Sequence, residues 1–325
     1  MRTDQFEDIR DKILDRRDKL ISLAQKYITT DEVEKLLEEI DAALERMKKG
    51  SFGKCEICGD PIEVDRLEID PLLTFCLDHL NTQQQRSLEN DLKLAMKIQR
   101  NLLPPRDLKL PGWDVAYHYE PASLVSGDYC DLIPSGIYGH NYLVVGDVSG
   151  KGIAASMLMT HLHAMFHTLI PLNLPSDEVM KRINSLFCES TISTQFATLL
   201  LAIAYEDGKV EISNAGHCFP IFFSQEETRH LESDGIPLGI VCNSTYESKR
   251  IQMKSNDILF VYTDGLSEAM KGEELFDISQ IENHDETFRN MTSQQIVDTT
   301  INELNYFLKG SVKDDDLTLL VLKKL

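Results

Sequence analysis

Two kinds of residue in this 325-residue chain could bind metal ions: cysteines at short spacings and aspartates beside glycines. Two residues separate Cys55 from Cys58 and Gly59 follows them, so a tight turn could aim both thiolates at one point. Cys76 and His79 repeat this spacing, with 17 residues between Cys58 and Cys76. Four such ligands complete a tetrahedron, which predicts a structural zinc site. The alternative is that Cys76 and His79 are unrelated residues at a helix start.

Four aspartates each lie next to a glycine or at the edge of an apolar run: Asp128, Asp147, Asp264 and Asp315. Taken singly, each is typical of an ordinary turn or of a solvated surface. Converging carboxylates would repel one another unless divalent cations neutralised them, and ligand sets made of carboxylate oxygen suit Mg²⁺ or Mn²⁺. Two such ions about 3.5–4 Å apart can activate water for attack on phosphorus. Together, the four aspartates are candidates for a two-metal site of this kind.

From residue 113 onward, short apolar runs alternate with turns, as is typical of strands. The strand-like runs cover 113–119, 141–146, 196–205, 209–213, 219–224, 257–262 and 317–322, with helical patterns at 153–170, 176–189 and 293–309. The dipeptide Asp207-Gly208 is typical of a hairpin turn, and the helices come in blocks rather than after every strand. This arrangement predicts an α+β domain with antiparallel sheets.

The residues before this domain are mainly helical in pattern. Residues 3–27 and 31–48 place apolar side chains three or four positions apart, which predicts an antiparallel helical hairpin. Residues 81–103 lack glycine and proline and carry a short heptad seam: Leu88, Leu92, Ala95, Gln99 and Leu102. The seam favours pairing with a second copy of the chain, while packing on the next domain is the open alternative. The predicted organisation is a hairpin with a zinc finger at 1–80, a coiled-coil-like linker at 81–105 and the α+β domain at 106–325.

Composition restricts the partners and the compartment. The formal charge of −20 makes general binding to nucleic-acid phosphates a poor expectation. Seven cysteines, an odd number mostly in apolar surroundings, favour a reducing cytoplasm. The N-terminus is polar, and no uninterrupted apolar run reaches the roughly 18 residues that a membrane span needs. We therefore expect a cytoplasmic protein without direct contact to membrane or nucleic acid.

Residues 99–322 resemble the SpoIIE/RsbU branch of the PPM, or protein phosphatase 2C-type, serine/threonine phosphatases. The resemblance is carried, in family order, by Ser126-Gly127-Asp128-Tyr129, Gly146-Asp147-Val148-Ser149-Gly150-Lys151-Gly152, Asn214-Ala215-Gly216-His217, Tyr262-Thr263-Asp264-Gly265 and Asp315-Asp316-Leu317-Thr318. It implies an αββα sandwich of two antiparallel sheets flanked by helices. It also implies a cytoplasmic signalling enzyme that uses Mn²⁺ or Mg²⁺, two ions per active site.

The resemblance also assigns roles to individual residues. Asp147 would bridge the two metal ions, and the main-chain carbonyl of Val148 would bind one of them. Asp264 and Asp315 would complete the metal site, and Asp128 would hold water molecules on the metals. No basic residue in these motifs stands out as a phosphate clamp.

Several neighbouring residues are weaker candidates. Asp131 could support the metal ligands, and Asp316 occupies a position where a polar residue is usual. A structural hydrogen bond is favoured over a chemical role for His217. His163 and His167 lie four residues apart on one helix face and could form a metal pair, although packing or interface roles are favoured.

Residues 39–80 resemble the DksA/TraR zinc finger, chiefly through Met47–Gly59 and the tripeptide Arg66-Leu67-Glu68. Members of that family bind bacterial RNA polymerase through the tip of a helical hairpin. Here His79 stands where a cysteine is common, and the tip near Tyr27–Asp31 is short and lacks paired acids. These departures affect the polymerase partner rather than the zinc site.

The leading hypothesis is a phosphatase that removes phosphate from phosphoserine or phosphothreonine in a bacterial signalling pathway. The resemblance implies a STAS-domain anti-sigma-factor antagonist as its phosphoprotein substrate, with the zinc module and linker in regulation. The alternative is a binding protein whose zinc hairpin contacts RNA polymerase or another partner, with the phosphatase-like domain as a non-catalytic scaffold.

Overall fold

The computed structural model describes most of the chain: residues 31–79, 82–134, 136, 138–191, 195–310 and 313–325, together with Ile9, Arg10, Ile13, Leu14, Arg17, Asp18 and Ile21. The chain divides into two compact units, residues 1–91 and residues 92–325.

The first unit is built around helix α1, Asp31–Lys49, followed by the short helix α2, Val64–Ile69, and a single 3-10 turn, Leu77–His79. Most of the predicted helix 3–27 and most of the hairpin tip lie outside the described residues. The described positions of that segment are helical. Two of them, Ile9 and Ile13, are buried in one apolar cluster with Ile40 of α1.

Helix α3, Thr82–Leu102, spans the division between the two units. At its C-terminal end, Gln99 is buried and Leu102 packs against the core of the second unit. These two seam positions are therefore used within the larger unit, whereas Leu88 is 42% exposed.

The second unit contains two five-stranded antiparallel sheets. One sheet has the order β1 (Trp113–Glu120), β12 (Leu317–Lys324), β9 (Ile258–Tyr262), β6 (Ile221–Phe223), β7 (Thr228–His230). The other has the order β2 (Tyr129–Pro134), β3 (His140–Val148), β4 (Ala197–Tyr205), β5 (Lys209–Ala215), β8 (Lys249–Gln252). A short ribbon pairs β10 (Met270–Lys271) with β11 (Glu274–Leu275). The helices are α4 (Ile153–Leu169), α5 (Ser176–Ser190), α6 (Asp264–Ser267), α7 (Ser279–Glu282), α8 (Asp285–Arg289) and α9 (Ser293–Leu308), and a 3-10 turn, Ile170–Leu172, follows α4.

Side-chain alternation along the strands builds the layers. On β3, Leu143 and Val145 enter the core that both sheets share, whereas Val144 between them enters the core beneath α4 and α5. Successive strand residues point to opposite faces, so a strand that is apolar throughout must be covered on both sides. A third core lies between the other sheet and α9. The predicted sandwich of two antiparallel sheets flanked by helices is therefore confirmed.

One segment, Ile153–Leu172, is long and apolar enough to cross a membrane by length and composition alone. No uninterrupted apolar run of that length occurs in it, because histidines and threonines are scattered along the segment, while the mean hydropathy still reaches 1.2. Met159, Leu162 and Phe166 on this segment are fully buried against the sheet of β3. The segment is thus a core helix of the sandwich.

A disulfide joins Cys188 of α5 to Cys242 in the segment between β7 and β8. The two cysteines are 54 residues apart in the sequence, and no local spacing indicates their pairing. The bond differs from the free thiols that a reducing compartment favours.

Candidate metal centres

The first candidate centre begins at the end of β3, where Asp147 is followed by Val148 and the glycine-containing turn into α4. The neighbouring loop comes very close at Gly127. A β-carbon there would lie 2.9 Å from the carbonyl oxygen of Val148 and 3.4 Å from a carboxylate oxygen of Asp147. Only glycine leaves room for this approach. The loop that carries Asp128 is therefore held against the Asp147 strand end.

A second close approach brings in the other two aspartates. Asp264 begins α6 directly after β9, and Asp315 lies just before β12, the strand that pairs with β9. A β-carbon at Gly265 would collide with the main-chain carbonyl of Asp316. Glycine at this position therefore lets the two acid-bearing strand ends lie side by side.

Asp128 is the most deeply buried of these acids, at 1% exposure. One of its carboxylate oxygens, Oδ2, accepts hydrogen bonds from the Thr263 hydroxyl at 3.0 Å and the Thr318 hydroxyl at 2.5 Å. The other oxygen, Oδ1, is buried without a protein partner. A buried carboxylate oxygen without a donor is costly, so this atom needs a cation or a water molecule.

The acids also act on one another electrostatically. Burial, together with the charges of Asp264, Asp315 and Asp316, raises the pKa of Asp147 to about 7. Burial and the charge of Asp147 raise the pKa of Asp128 well above its usual range. Burial and Asp315 likewise raise the pKa of Asp264. The structure therefore brings the four predicted aspartates into one repulsive group, which divalent cations would neutralise.

Two residues have roles here that the sequence did not reveal. Asp316 accepts main-chain hydrogen bonds from Ala122 at 2.7 Å and Gly127 at 2.8 Å, so it organises the loop that carries Asp128. Lys151 donates to the Asp314 carbonyl at 2.6 Å and lies 3.1 Å from an Asp315 oxygen. No periodicity indicates either role, because the partners are far apart in sequence. The position of Lys151 in the glycine-rich turn is the one signal that could have suggested it.

The loop before Asp128 is fixed from α3. Gln99 is 3% exposed, and its side-chain amide donates to the Ser126 carbonyl at 2.6 Å and accepts from the Ser126 amide at 3.0 Å. His217 contacts the Thr198 hydroxyl through Nδ1 at 3.0 Å. Burial lowers the pKa of His217 to about 4, and this neutral, enclosed imidazole agrees with the structural role expected for it.

The second candidate centre lies in the first unit, where the side chains of Cys55, Cys58, Cys76 and His79 converge. Their ligand atoms all lie within 4.8 Å of one another. The turn closes through a hydrogen bond from the Gly59 amide to the Cys55 carbonyl at 2.9 Å, with φ at Gly59 of +77°. Three thiolates and one imidazole in this arrangement fit a tetrahedral zinc ion. The aspartates of the first centre line a wider site, since among the described residues no three of them meet this 4.8 Å limit.

Asp131 lies apart from the Asp147 group in its contacts. It points from β2 towards α4, where its Oδ2 atom lies 3.1 Å from His163 Nδ1 and 2.8 Å from His167 Nε2. Burial acts to raise the pKa of Asp131, but the two histidines outweigh it and the pKa is lowered. Asp131 is therefore placed to hold the two histidines rather than to support the Asp147 site directly.

The sandwich with acid-bearing strand ends is a known fold. The SiaA-PP2C domain of Pseudomonas aeruginosa superposes with a TM-score of 0.64 at 16% identity, covering 74% of this chain and 97% of that domain. The fold is thus that of a PP2C-type domain.

Residues 138–324 match the family described as Stage II sporulation protein E (SpoIIE). This match covers more than half of the chain, so the chain belongs to the SpoIIE family. Residues 50–78 match the prokaryotic DksA/TraR C4-type zinc finger. Both expected resemblances are therefore confirmed.

Two relatives align with more than two thirds of this chain. The chain is 26% identical to Protein IcfG of Synechocystis sp. over 263 residues, which are 71% of this chain and 41% of that protein. It is 23% identical to the phosphoserine phosphatase RsbU of Bacillus subtilis over 243 residues, which are 74% of this chain and 72% of that protein. The chain thus spans less than half of IcfG.

Proposed function

We propose that this chain is a Mg²⁺- or Mn²⁺-dependent phosphoprotein phosphatase that hydrolyses phosphoserine or phosphothreonine. The observation that carries the proposal is the group of mutually repelling aspartates around Asp147, each at a strand end of a SpoIIE-family sandwich. Keeping several carboxylates in one partly buried place is costly unless a cation uses them. The name of the relative RsbU, a phosphoserine phosphatase, supports the same reaction.

The donor set fits two divalent ions of the Mg²⁺ class. Asp147 would contact both ions, the Val148 carbonyl would bind one, and Asp264 and Asp315 would complete the set. Asp128 would position water through its unpartnered oxygen. Bound cations would supply the activated water and the positive charge that phosphomonoester hydrolysis requires. The hydroxyls of Thr263 and Thr318 orient Asp128 for this task.

Lys151 supplies a positive charge at the edge of the same site. Its ammonium group, which is largely exposed, bonds to the segment that carries Asp315. We propose that Lys151 holds this segment in place, since its nitrogen already has two protein partners. Substrate recognition would then depend mainly on the cations and on the surrounding loops.

The substrate we propose is a phosphorylated STAS-domain protein, an anti-sigma-factor antagonist, in a bacterial signalling pathway of the cytoplasm. The proposal rests on family membership and on the relative RsbU. Its test is the rate of phosphate release from a phosphoserine-bearing STAS protein compared with a phosphoserine peptide of the same local sequence. Faster release from the folded STAS protein than from the peptide supports this substrate class, and equal rates contradict it.

Catalysis itself is tested with p-nitrophenyl phosphate and a phosphoserine protein in Mn²⁺ and in Mg²⁺. We expect Asp147→Asn and Asp264→Asn to lose at least about 100-fold in rate, because each removes a charge from the metal ligand set. Asp298→Asn, on the exposed side of α9, should keep the wild-type rate. If the wild type is as inert as the variants while RNA polymerase is captured, the binding-protein alternative replaces the phosphatase.

The zinc finger and α3 would regulate this activity. We propose that α3 pairs with a second copy of the chain, which would cover the exposed side chains of Leu94 and Ile98. Light scattering of the full chain tests the pairing. A dimer that becomes monomeric in Leu94→Glu, while Leu94→Met stays dimeric, supports it, and a monomeric wild type refutes it.

A further inference from the structure

A third cluster of metal-ligand side chains lies behind the aspartate centre, between β2 and α4. Asp131 comes from β2, and His163 and His167 come from successive turns of α4. Their ligand atoms all lie within 4.8 Å of one another, as do those of the zinc-finger set. Both elements pack in the same core of the sandwich, so the cluster is held from two sides.

The carboxylate at the centre of the cluster is already oriented. One oxygen of Asp131, Oδ1, accepts from the Leu132 amide at 2.8 Å. The other, Oδ2, accepts from the Tyr129 hydroxyl at 2.9 Å and faces both histidines. Hydrogen bonds of this kind fix the direction of a carboxylate that binds a metal. Asp131 itself is 3% exposed, so its carboxylate is held inside the protein and is not a mobile surface group.

The two histidines meet Asp131 differently, because His167 Nε2 is hydrogen-bonded to its Oδ2 atom at 2.8 Å and His163 is not. The Nδ1 atom of His163 is buried and, although 3.1 Å from the Asp131 oxygen, has no aligned hydrogen bond. The two imidazole rings are only 4.1 Å apart between centroids, so two protonated rings would repel each other. Two neutral rings that direct their lone pairs at one shared point would not repel each other. A cation at that point would also give His163 Nδ1 a partner.

The distances suit a single ion at that shared point. Ligand bonds of about 2.0–2.2 Å at tetrahedral angles place donor atoms roughly 3.3–3.5 Å apart. The observed separations of 2.8 and 3.1 Å from the Asp131 oxygen would have to widen by about 0.5–0.7 Å and about 0.2–0.4 Å, respectively. The side chain of His167 is 45% exposed, which leaves solvent access for the remaining coordination position.

We propose that His163 Nδ1, His167 Nε2 and Asp131 Oδ2 bind one divalent transition-metal ion of the Zn²⁺ type. Two imidazoles and one carboxylate suit Zn²⁺, Co²⁺ or Ni²⁺ better than Mg²⁺, which prefers oxygen ligands. This site is separate from the proposed aspartate centre and from the zinc finger. The ion would clamp α4, the helix that follows the glycine-rich turn after Asp147, to β2, the strand that follows Asp128.

The test uses the full chain with its zinc finger loaded and with Mg²⁺ in excess to occupy the aspartate centre. Co²⁺ is added as the probe, and the ¹H NMR spectrum is searched for strongly shifted, exchangeable imidazole N–H signals. Such signals arise only from histidines bound to the paramagnetic ion. The proposed aspartate ligands contain no imidazole, and the finger's His79 stays on diamagnetic Zn²⁺. We expect two shifted signals and their loss when Zn²⁺ displaces Co²⁺.

Substitutions of the histidines on α4 show which residue gives each shifted signal. His167→Gln should remove one signal and weaken Co²⁺ binding about tenfold or more, and His163→Gln should do the same for the other signal. His161→Gln is the matched control, because His161 lies on α4 outside the cluster and should leave both signals unchanged. Absence of shifted signals in the wild type, or signals and affinity unaffected by His167→Gln, would show that the cluster is an ion pair only. Circular dichroism confirms that each variant is folded.

Discussion

Replacing Asp147 by asparagine should stabilise the second unit in the absence of Mg²⁺ and Mn²⁺, although the same change should abolish hydrolysis. The reason is the repulsion that the structure concentrates on this side chain. Its pKa is raised from 3.8 to about 7 by burial and by the neighbouring Asp264, Asp315 and Asp316. Each pH unit between these two values corresponds to about 1.4 kcal/mol, so ionised Asp147 costs the folded state about 4 kcal/mol. Asparagine keeps the shape and removes the charge, and we expect a gain of about 2–4 kcal/mol at pH 8.

The stability difference between the wild type and Asp147→Asn should depend on pH. Between pH 3.8 and about 7, folded Asp147 holds a proton that the unfolded chain has already released. The wild-type stability due to this group therefore falls as the pH rises through that window and is then constant. The advantage of Asp147→Asn should be small near pH 4 and largest above pH 7. Added Mn²⁺ should stabilise the wild type and should have much less effect on the variant.

Trp113 provides the assay, because it is the single tryptophan of the chain and lies buried in β1 of the second unit. Its fluorescence during urea denaturation reports the unfolding of that unit, in protein dialysed free of Mg²⁺ and Mn²⁺ with the zinc finger still loaded. Asp298→Asn serves as the control and should change the free energy of unfolding by less than about 0.5 kcal/mol. If Asp147→Asn is no more stable than the wild type at pH 8, or if its advantage does not grow with pH, charge repulsion does not destabilise this site.

Three further predictions concern the residues that assemble the two centres. Gln99→Ala should destabilise the second unit by about 2–3 kcal/mol and lower the Mn²⁺-dependent rate, because it leaves the buried amide and carbonyl of Ser126 without their partner. Arg100→Ala is the control and should change neither the stability nor the rate. Gly265→Ala should reduce activity at least about tenfold with a lower melting temperature, because its methyl group collides with a carbonyl; normal activity would contradict the close approach. Cys58→Ser should release zinc, measured by elemental analysis, while the Trp113 unfolding transition stays unchanged, because the finger belongs to the first compact unit and Trp113 to the second.

Much of the fold follows from local pattern. The helices at 153–169, 176–190 and 293–308 and the strands β1, β3, β4, β5, β9 and β12 lie where periodicity and turns predict them, to within a few residues. Strand β2 was missed because a buried polar residue, Asp131, interrupts its apolar sequence. The short strands β7, β8, β10 and β11 have four residues or fewer and exist through pairing, which no local signal predicts.

Local sequence alone indicates which residue types could bind metal, since spacing in a short motif such as Cys55–Cys58 is a local property. It also placed each candidate aspartate at a strand end. That these ends adjoin is visible only in the folded chain, where the hydrogen bond between Asp128 and Thr318 joins residues 190 positions apart. The same holds for the lysine beside Asp315, for the Cys188–Cys242 disulfide and for the contact of Asp131 with α4. Such contacts depend on how sheets and helices pack, and packing is a property of the whole chain.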